Sequence, residues 1–270
     1  PKKSAFRVGT VANTEWNDAN IGAHSISMGM NTIASGERSV SFGRGSIASG
    51  TNSTAMGSNT EASGDYSVAM GSVTKSTADA STSMGYLTEA NGAASTAMGN
   101  ETTASGSAAT ALGNQTTANG DASFASGAST TASGTASTAM GVLASTNNFM
   151  GSFVIGDAST YGTTNAIVSN SASNQMTMRF AGGYQLYSNN LTNIGVSLSA
   201  GGNSWSSISD STKKENFQAV NGDIFLENLS RLKLGSWNYK GQNPTTFRHF
   251  GPMAQEIFHY FGNDGIGTIG

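Results

Sequence analysis

The sequence predicts a mostly β protein: a parallel roll of 14-residue coils over residues 22–147, a β-rich connector over 148–203, and a small α+β module over 204–270. Three observations predict it. A bulky residue followed by Gly recurs every 14 residues. Charged residues are 11% of the 270, where about a quarter is usual, and 35 residues are Gly, so the chain is built for repetition rather than for a mixed polar surface. Aromatic residues jump from four in 22–147 to ten in 204–270, which marks a compositional boundary.

Composition also removes several function classes. With no Cys there are no disulfides, thiolate metal sites or Cys nucleophiles. The net charge of -3 offers no basic surface for nucleic acid or anionic membrane, and the apolar runs fall short of the ~20 residues a membrane span needs. Residue 1 is Pro and no apolar signal segment follows, so residues 1–21 are expected to be the lead-in of a processed or excised piece.

Within the roll the repeat fixes the elements. Met28-Gly29, Phe42-Gly43, Met56-Gly57, Met70-Gly71, Met84-Gly85, Met98-Gly99, Leu112-Gly113 and Met140-Gly141 are in phase, and Ser126-Gly127 fills the remaining place. A second Gly column runs half a period later through Gly36, Gly50, Gly64, Gly92, Gly106, Gly120 and Gly134, with Ala78 as its exception. β-Branched residues such as Val40, Thr54 and Val68 stand two before the bulky one. Pieces this short, broken by Gly every seven residues, predict two brief strands per coil joined by tight Gly turns. Stacked at ~4.8 Å per coil, nine coils make a rod roughly 45 Å long.

One large apolar side chain per coil, plus small ones such as Ala55 and Ala62, is worth about 1.5–3 kcal/mol when buried, against an ordering cost of ~1 kcal/mol or more per residue. A lone roll is therefore marginal, and association that packs the Met column against its own copies is the natural remedy.

Beyond 148, Gln175–Phe180 alternates like a half-buried strand and Gly182-Gly183 predicts a hairpin into Tyr184–Tyr187; Ile194, Val196 and Leu198 suggest a further strand. In the module, Phe225, Leu229 and Leu232 predict a helix over 223–234, stopped by Gly235. A second helix lies between Pro252 and Gly262, and Trp237–Tyr239 and Phe247–Phe250 read as strands.

Two resemblances follow from these residues. Ser67-Val68-Ala69-Met70-Gly71 and Ser95-Thr96-Ala97-Met98-Gly99 with Ala104-Ser105-Gly106 resemble the head repeats of YadA-type trimeric adhesins. That family implies a left-handed parallel β-roll, trimerised through the apolar column; here Met stands where Ile or Val is more usual. Ser209-Asp210-Ser211-Thr212-Lys213-Lys214-Glu215-Asn216, Trp237-Asn238-Tyr239-Lys240 and Gly251-Pro252-Met253-Ala254-Gln255-Glu256 resemble the endosialidase-type intramolecular chaperone of phage tail fibres and spikes. The resemblance implies that the module assembles three chains and then cuts itself off before Ser209, with Ser209 and Lys214 as a catalytic dyad. It also implies further structure past Gly270, so an incomplete C-terminus is expected.

A Ser hydroxyl needs a base, and Lys serves when burial depresses its pKa; Trp205 and Phe217 are candidates for the apolar wall, and Lys213 is a rival base. Other constellations weigh less. Glu37, Asp65, Asp79 and Asp121 form one carboxylate column and Glu61 and Glu89 another, but like charges one coil apart repel, so solvated turns are expected rather than metal or glycosidase chemistry. Thr102-Thr103, Thr116-Thr117 and Thr130-Thr131 stack in register as a flat hydroxyl face of the kind that binds ice or polysaccharide. His24, His249 and His259 are scattered and read as structural. No cofactor or metal is expected. The reading is a homotrimeric extracellular fibre or adhesin of a phage tail, injection-system appendage or bacterial surface, with a host glycan or protein as receptor. Its rivals are a glycan-degrading tail-spike enzyme and a monomeric ice- or polysaccharide-binding solenoid.

Overall fold

The computed structural model describes residues 3–192, 194–208, 212, 214–217 and 219–262. The chain divides into two compact units, one made of residues 1–186 and 195–206, the other of 187–194 and 207–270.

The first unit is a parallel β-solenoid. Each coil gives a five-residue strand, such as Thr54–Ser58, Val68–Ser72 or Thr82–Tyr86, and after a turn a two-residue strand such as Glu61–Ala62 or Lys75–Ser76. The long strands stack into a 12-stranded sheet and the short ones into a 10-stranded sheet. Register follows the repeat: Met56 pairs with Met70 and Met70 with Met84, each followed by a Gly–Gly pair.

The ladder runs past the perfect repeat at both ends. Phe6–Thr10 pairs with Ile26–Met30, and Phe153–Gly156 and Met176–Arg179 extend the long sheet beyond Thr138–Val142. The expected hairpin through Gly182-Gly183 does not form. Met176 and Met178 stand in register with Phe153 and Ile155, so the parallel ladder takes this strand, and the longer loops before it lie outside the stack. Gly183–Tyr187 instead joins a three-stranded sheet with Gly195–Ser199 and Ser206–Ser207.

Alternation along each long strand puts Ala55, Ala69, Ala97, Ala111, Ala125 and Ala139 inside at 0% exposure and turns Met outward. The short strands add Ala48, Ala62, Ala90, Ala104, Ala118 and Ala132. Among the described residues, Leu143 and Val154 are the only buried apolar side chains larger than Ala; the buried polar side chains are Ser and Thr, with Asn170 at the far end. Several of these hydroxyls are satisfied within their own turn: Ser67 donates to Gly64 O at 2.6 Å and Ser137 to Gly134 O at 2.6 Å.

Glycine's role differs from the expected tight turns. The left-handed turn positions carry Asn59 (φ 54), Val73 (φ 56), Leu87 (φ 52) and Ala94 (φ 55), whereas the two Gly columns stand where adjacent coils touch. A Cβ on Gly99, itself at φ +131, would sit 1.9 Å from Gly113 O, and one on Gly106 would sit 2.1 Å from Gly120 O. A side chain there forces the pairing between coils to change, as it does at Ala78.

The coil holding Ala78 departs from the pattern in a correlated way. Elsewhere, as at Ser105 and Gly106, two successive N–H groups share one carbonyl of the next coil, at 3.0 and 3.3 Å from Ala118 O; here only Thr77 N–H reaches Ala90 O. Ser76 and Ser83 replace two core Ala positions and bond each other at 2.7 Å, with Ser76 also donating to Val68 O at 2.6 Å. Outside, Lys75 faces Glu89 at 3.5 Å.

Both ends of the stack are closed by polar side chains. Arg7, in register with Ser27, turns onto the exposed edge of the first coil and donates to Ser25 O, Ser25 Oγ and Ala34 O at 2.8–3.1 Å; desolvation there lowers its pKa. Trp16 Nε1 donates to Thr32 O at 3.1 Å. At the far end the buried Asn170 side chain donates to Phe153 O, Gln175 O and Thr177 Oγ1. Asp157 accepts from Arg179 Nε at 2.9 Å, Ser159 Oγ at 2.7 Å and Ala181 N–H at 2.6 Å.

The second unit holds α1 (Gly222–Ser230), capped by the Asn221 side chain, α2 (Ala254–Phe261), ended by Gly262 at φ 49, and an antiparallel pair of Gly235–Trp237 with His249–Gly251. α1 stops at Ser230, short of the expected 234, because Arg231 already closes it through Asn228 and Leu229 carbonyls. The strands sit about two residues from their expected places. Phe225 meets Phe261 at 4.7 Å between ring centres, and Asn228 Nδ2 donates to Tyr260 O at 2.8 Å, tying the two helices together.

Candidate functional site

The dyad expected from the sequence is described only in part. Ser209 and its rival-base neighbour Lys213 lie outside the described residues, while Lys214 is described and exposed. The bond expected to break, Ile208–Ser209, begins at a half-buried Ile208 two residues after the first unit ends at Ser206. Of the two expected wall residues, Trp205 is 52% exposed with its ring against Tyr184 at 6.0 Å, and Phe217 is 90% exposed. A single chain therefore leaves Lys214 and Phe217 in water.

The same holds across the second unit. None of its described residues is buried, although Ile224, Phe225, Leu229, Leu234, Phe250 and Phe258 are 45–84% exposed. The tightest packing is a ring cluster, where His249 stacks on Trp237 at 4.6 Å and meets Tyr239 edge-on at 5.4 Å, with Gln242 Oε1 at 3.3 Å from its Nε2. His259, also expected to be structural, is exposed and lies edge-on to the Tyr260 ring. Apolar surface on this scale is a mark of an interface.

On the roll, the outer face of the long sheet presents two continuous columns. One carries Val40, Thr54, Val68, Thr82, Thr96 and Thr110; the other carries Phe42, Met56, Met70, Met84, Met98 and Leu112. These side chains are half-buried or exposed, with Met56 and Met98 at 37%. Sequence reading put the Met residues in one column, which the register bears out, but took that column as core, whereas the chain turns it outward; it also missed the column's one inversion, Phe124 with Ser126. The signal was present, since Phe124 is the one aromatic residue among the Val and Thr of its column between Val40 and Thr138.

The remaining candidates resolve into structure. Carboxylates expected to be solvated turns tie coils together: Thr51 N–H donates to Asp65 at 2.7 Å, Asp65 N–H to Asp79 at 3.0 Å, and Ser107 N–H to Asp121 at 2.9 Å. Glu37 pairs with Arg38 at 2.8 Å. Among the described residues no three acidic or His side chains gather as a metal site would need. The expected hydroxyl face is corrected: Thr102, Thr116 and Thr130 are at 0% exposure inside the roll, so only Thr103, Thr117 and Thr131 reach its surface, because neighbouring strand residues point to opposite faces. A concavity of about 800 Å³ lies beside Phe180, Tyr184 and Ser197–Ala200, but the one carboxylate lining it, Asp157, is already taken up by its three partners. No described helix is long and apolar enough to cross a membrane.

Comparison with known families meets this geometry. The model of the YadA head domain repeat matches residues 21–46, 48–73, 76–102, 104–130 and 120–144, and that of the chaperone of endosialidase matches 209–265. The chain joins YadA head repeats to an endosialidase-type chaperone domain. No curated protein matches it. The YadA head match covers the coils whose Met column faces outward, and the chaperone match falls in the unit that has no buried residue among those described. The matched families are those of surface adhesins and phage tail fibres, consistent with an extracellular setting.

Proposed function

We propose that this chain is a homotrimeric fibre or adhesin segment, in which the roll presents a repetitive polar surface to a host glycan or protein and the C-terminal domain brings three chains into register. In this reading residues 1–21 lead in, 22–147 form the head, 148–203 connect and 204–270 are the chaperone. The observation that carries it is that, Leu143 and Val154 apart, the large apolar side chains of the described residues lie outside in both units. An interior of Ala, Ser and Thr buries about one CH₂ or methyl group per inward residue, at ~0.8 kcal/mol each, which does not match the ordering cost of the coil. Three chains sharing their Met columns supply the missing burial.

Register gives the chaperone its physical task. Coils identical at 14-residue spacing pair almost equally well one coil out of step, and a terminal nucleator removes that degeneracy. Self-cleavage then separates the finished fibre. A neutral Lys214 amine takes the Ser209 hydroxyl proton, Oγ attacks the Ile208 carbonyl carbon, the acyl group passes from nitrogen to oxygen, and water hydrolyses the ester to leave an Ile208 carboxylate and a new amino terminus at Ser209. Assembly is what would take Lys214 out of water.

Light scattering of the uncut Ser209→Ala chain tests the first part: a mass near three times 27.5 kDa is expected, and a mass near 27.5 kDa refutes it. Mass spectrometry of the freshly made chain tests the second. A cut before Ser209 is expected, absent in Ser209→Ala and Lys214→Ala and kept in Lys213→Ala; loss in Lys213→Ala alone would move the base to Lys213.

A further inference from the structure

We propose that Phe124 and Ser126 form a register key inside the roll, recognised by the same layer of two further copies of this chain; this rests on the trimer reading above. The outer columns are nearly uniform from layer to layer, Thr54 with Met56, Val68 with Met70, Thr82 with Met84 and Thr96 with Met98. A neighbour displaced by one coil therefore still sets Met against Met. Phe42 and Leu112 keep a large apolar side chain in the Met column and do not change this.

The coil of Phe124–Ala128 does change it. Phe124 stands between Thr110 and Thr138, and Ser126 between Leu112 and Met140, so the large and the small side chains have exchanged places. The backbone does not register the exchange: the strand keeps the same parallel pairing, Ala125 stays at 0% exposure, and Gly127 holds its column at φ +122. It is thus a feature of the outer face alone. Phe124 and Ser126 are both half-buried on that face, which carries no charged residue in either column from Val40 to Met140.

The chemistry selects the partner. A layer-by-layer fit to an uncharged stripe repeating every 14 residues requires a surface of identical spacing, which another copy of the chain has. With three copies in step, Phe124 meets Phe124 and Ser126 meets Ser126. One coil out of step, Ser126 lies level with Leu112 or Met140 and Phe124 with Thr110 or Thr138, leaving a void in one column and excess bulk in the other. That penalty falls on slipped assemblies alone, which is how a specificity element acts.

The experiment uses two differently tagged full-length chains expressed together, with native mass spectrometry counting mixed trimers. Two wild-type chains set the reference, roughly three quarters mixed if chains combine at random. The partner variant T110F/L112S/F124T/S126M moves the key one coil towards the N-terminus. Mixed trimers with wild type are expected to fall at least about fivefold below the reference. Mixing at the reference level overturns the key. Should the fourfold variant fail to fold, F124T/S126M, which turns the coil into an ordinary one, takes its place with the same expectation and the same refutation. A mass near one chain for the wild type itself overturns the trimer reading and the key with it, and is seen before any mixing is measured.

Discussion

At the scale of single residues, contact between coils decides what is allowed. Gly99 and Gly106 both lie where a Cβ would run into the next coil's carbonyl oxygen, but only Gly99 also needs a positive φ. Gly106→Ala therefore isolates the stacking clash and is expected to cost about 2 kcal/mol or more, and Gly99→Ala to cost more than Gly106→Ala; urea midpoints measure both, and equal, small losses would refute the stacking account. Asp157 makes a different residue-level claim. The Ala181 N–H, the Ser159 hydroxyl and the Arg179 guanidinium, in that order of influence, hold its carboxylate well below the usual carboxylate range. A carboxyl whose folded pKa lies below its unfolded one stabilises the fold fully above the unfolded value, about 4, and loses that contribution as pH falls toward the folded value. Asp157→Asn should lower stability at pH 7 and flatten the decline between pH 5 and pH 2.5, read from denaturation midpoints across that range. An unchanged slope would mean other carboxylates govern acid unfolding.

At the scale of elements, the coil around Ala78 shows how a repeat tolerates variation when changes come in pairs. Ser76 and Ser83 are two polar replacements that satisfy each other inside a wall of Ala. Ser76→Ala leaves the Ser83 hydroxyl buried without that partner and is expected to cost about 1–3 kcal/mol. Ser83→Ala costs less, since Ser76 keeps Val68 O, and the double variant, which restores the Ala pair of other coils, lies close to wild type. A double-mutant cycle on melting temperature checks this, and additive losses would refute it. The same contrast explains how much was legible in the sequence. Strand alternation and the two Gly columns could be read directly, because periodicity is a property of residue order. The strand Met176–Arg179 was found, but its partner was mistaken, since the 23-residue step from Ile155 to Met178 hides a column that continues in space. The turns were misassigned for a similar reason: the need for Gly at Gly106 comes from a neighbour 14 residues away, not from the local φ. Of the candidate site, the exposed position of Lys214 and the absence of any buried residue among those described in the second unit were invisible in a composition that, with its ten aromatics, reads as a packed core.

At the scale of the whole molecule, the proposed trimer makes stability a property of an assembly. Among the described residues the buried side chains are Ala, Ser and Thr apart from Leu143, Val154 and Asn170, six Thr hydroxyls from Thr60 to Thr130 are buried without a hydrogen-bond partner, and the other large apolar side chains face outward. A fold resting on its own interior would unfold at a midpoint independent of concentration. A fold completed by two further chains must follow mass action, losing about 2.7 kcal/mol per mole of trimer for each tenfold dilution of the chain. Chemical denaturation at 0.5, 5 and 50 μM, monomer units being roughly spaced to span two such steps, should therefore give midpoints that rise with concentration. Met98→Glu is the matching perturbation: it leaves the coil's interior, formed there by Ala97 and Ala104, untouched while placing a carboxylate from every chain in one layer of the Met column. It should abolish the trimer and drop stability far more than an exposed substitution ordinarily does, because like charges gathered away from water repel strongly. A Met98→Glu chain that keeps both its mass and its midpoint would place the methionines in solvent rather than between chains.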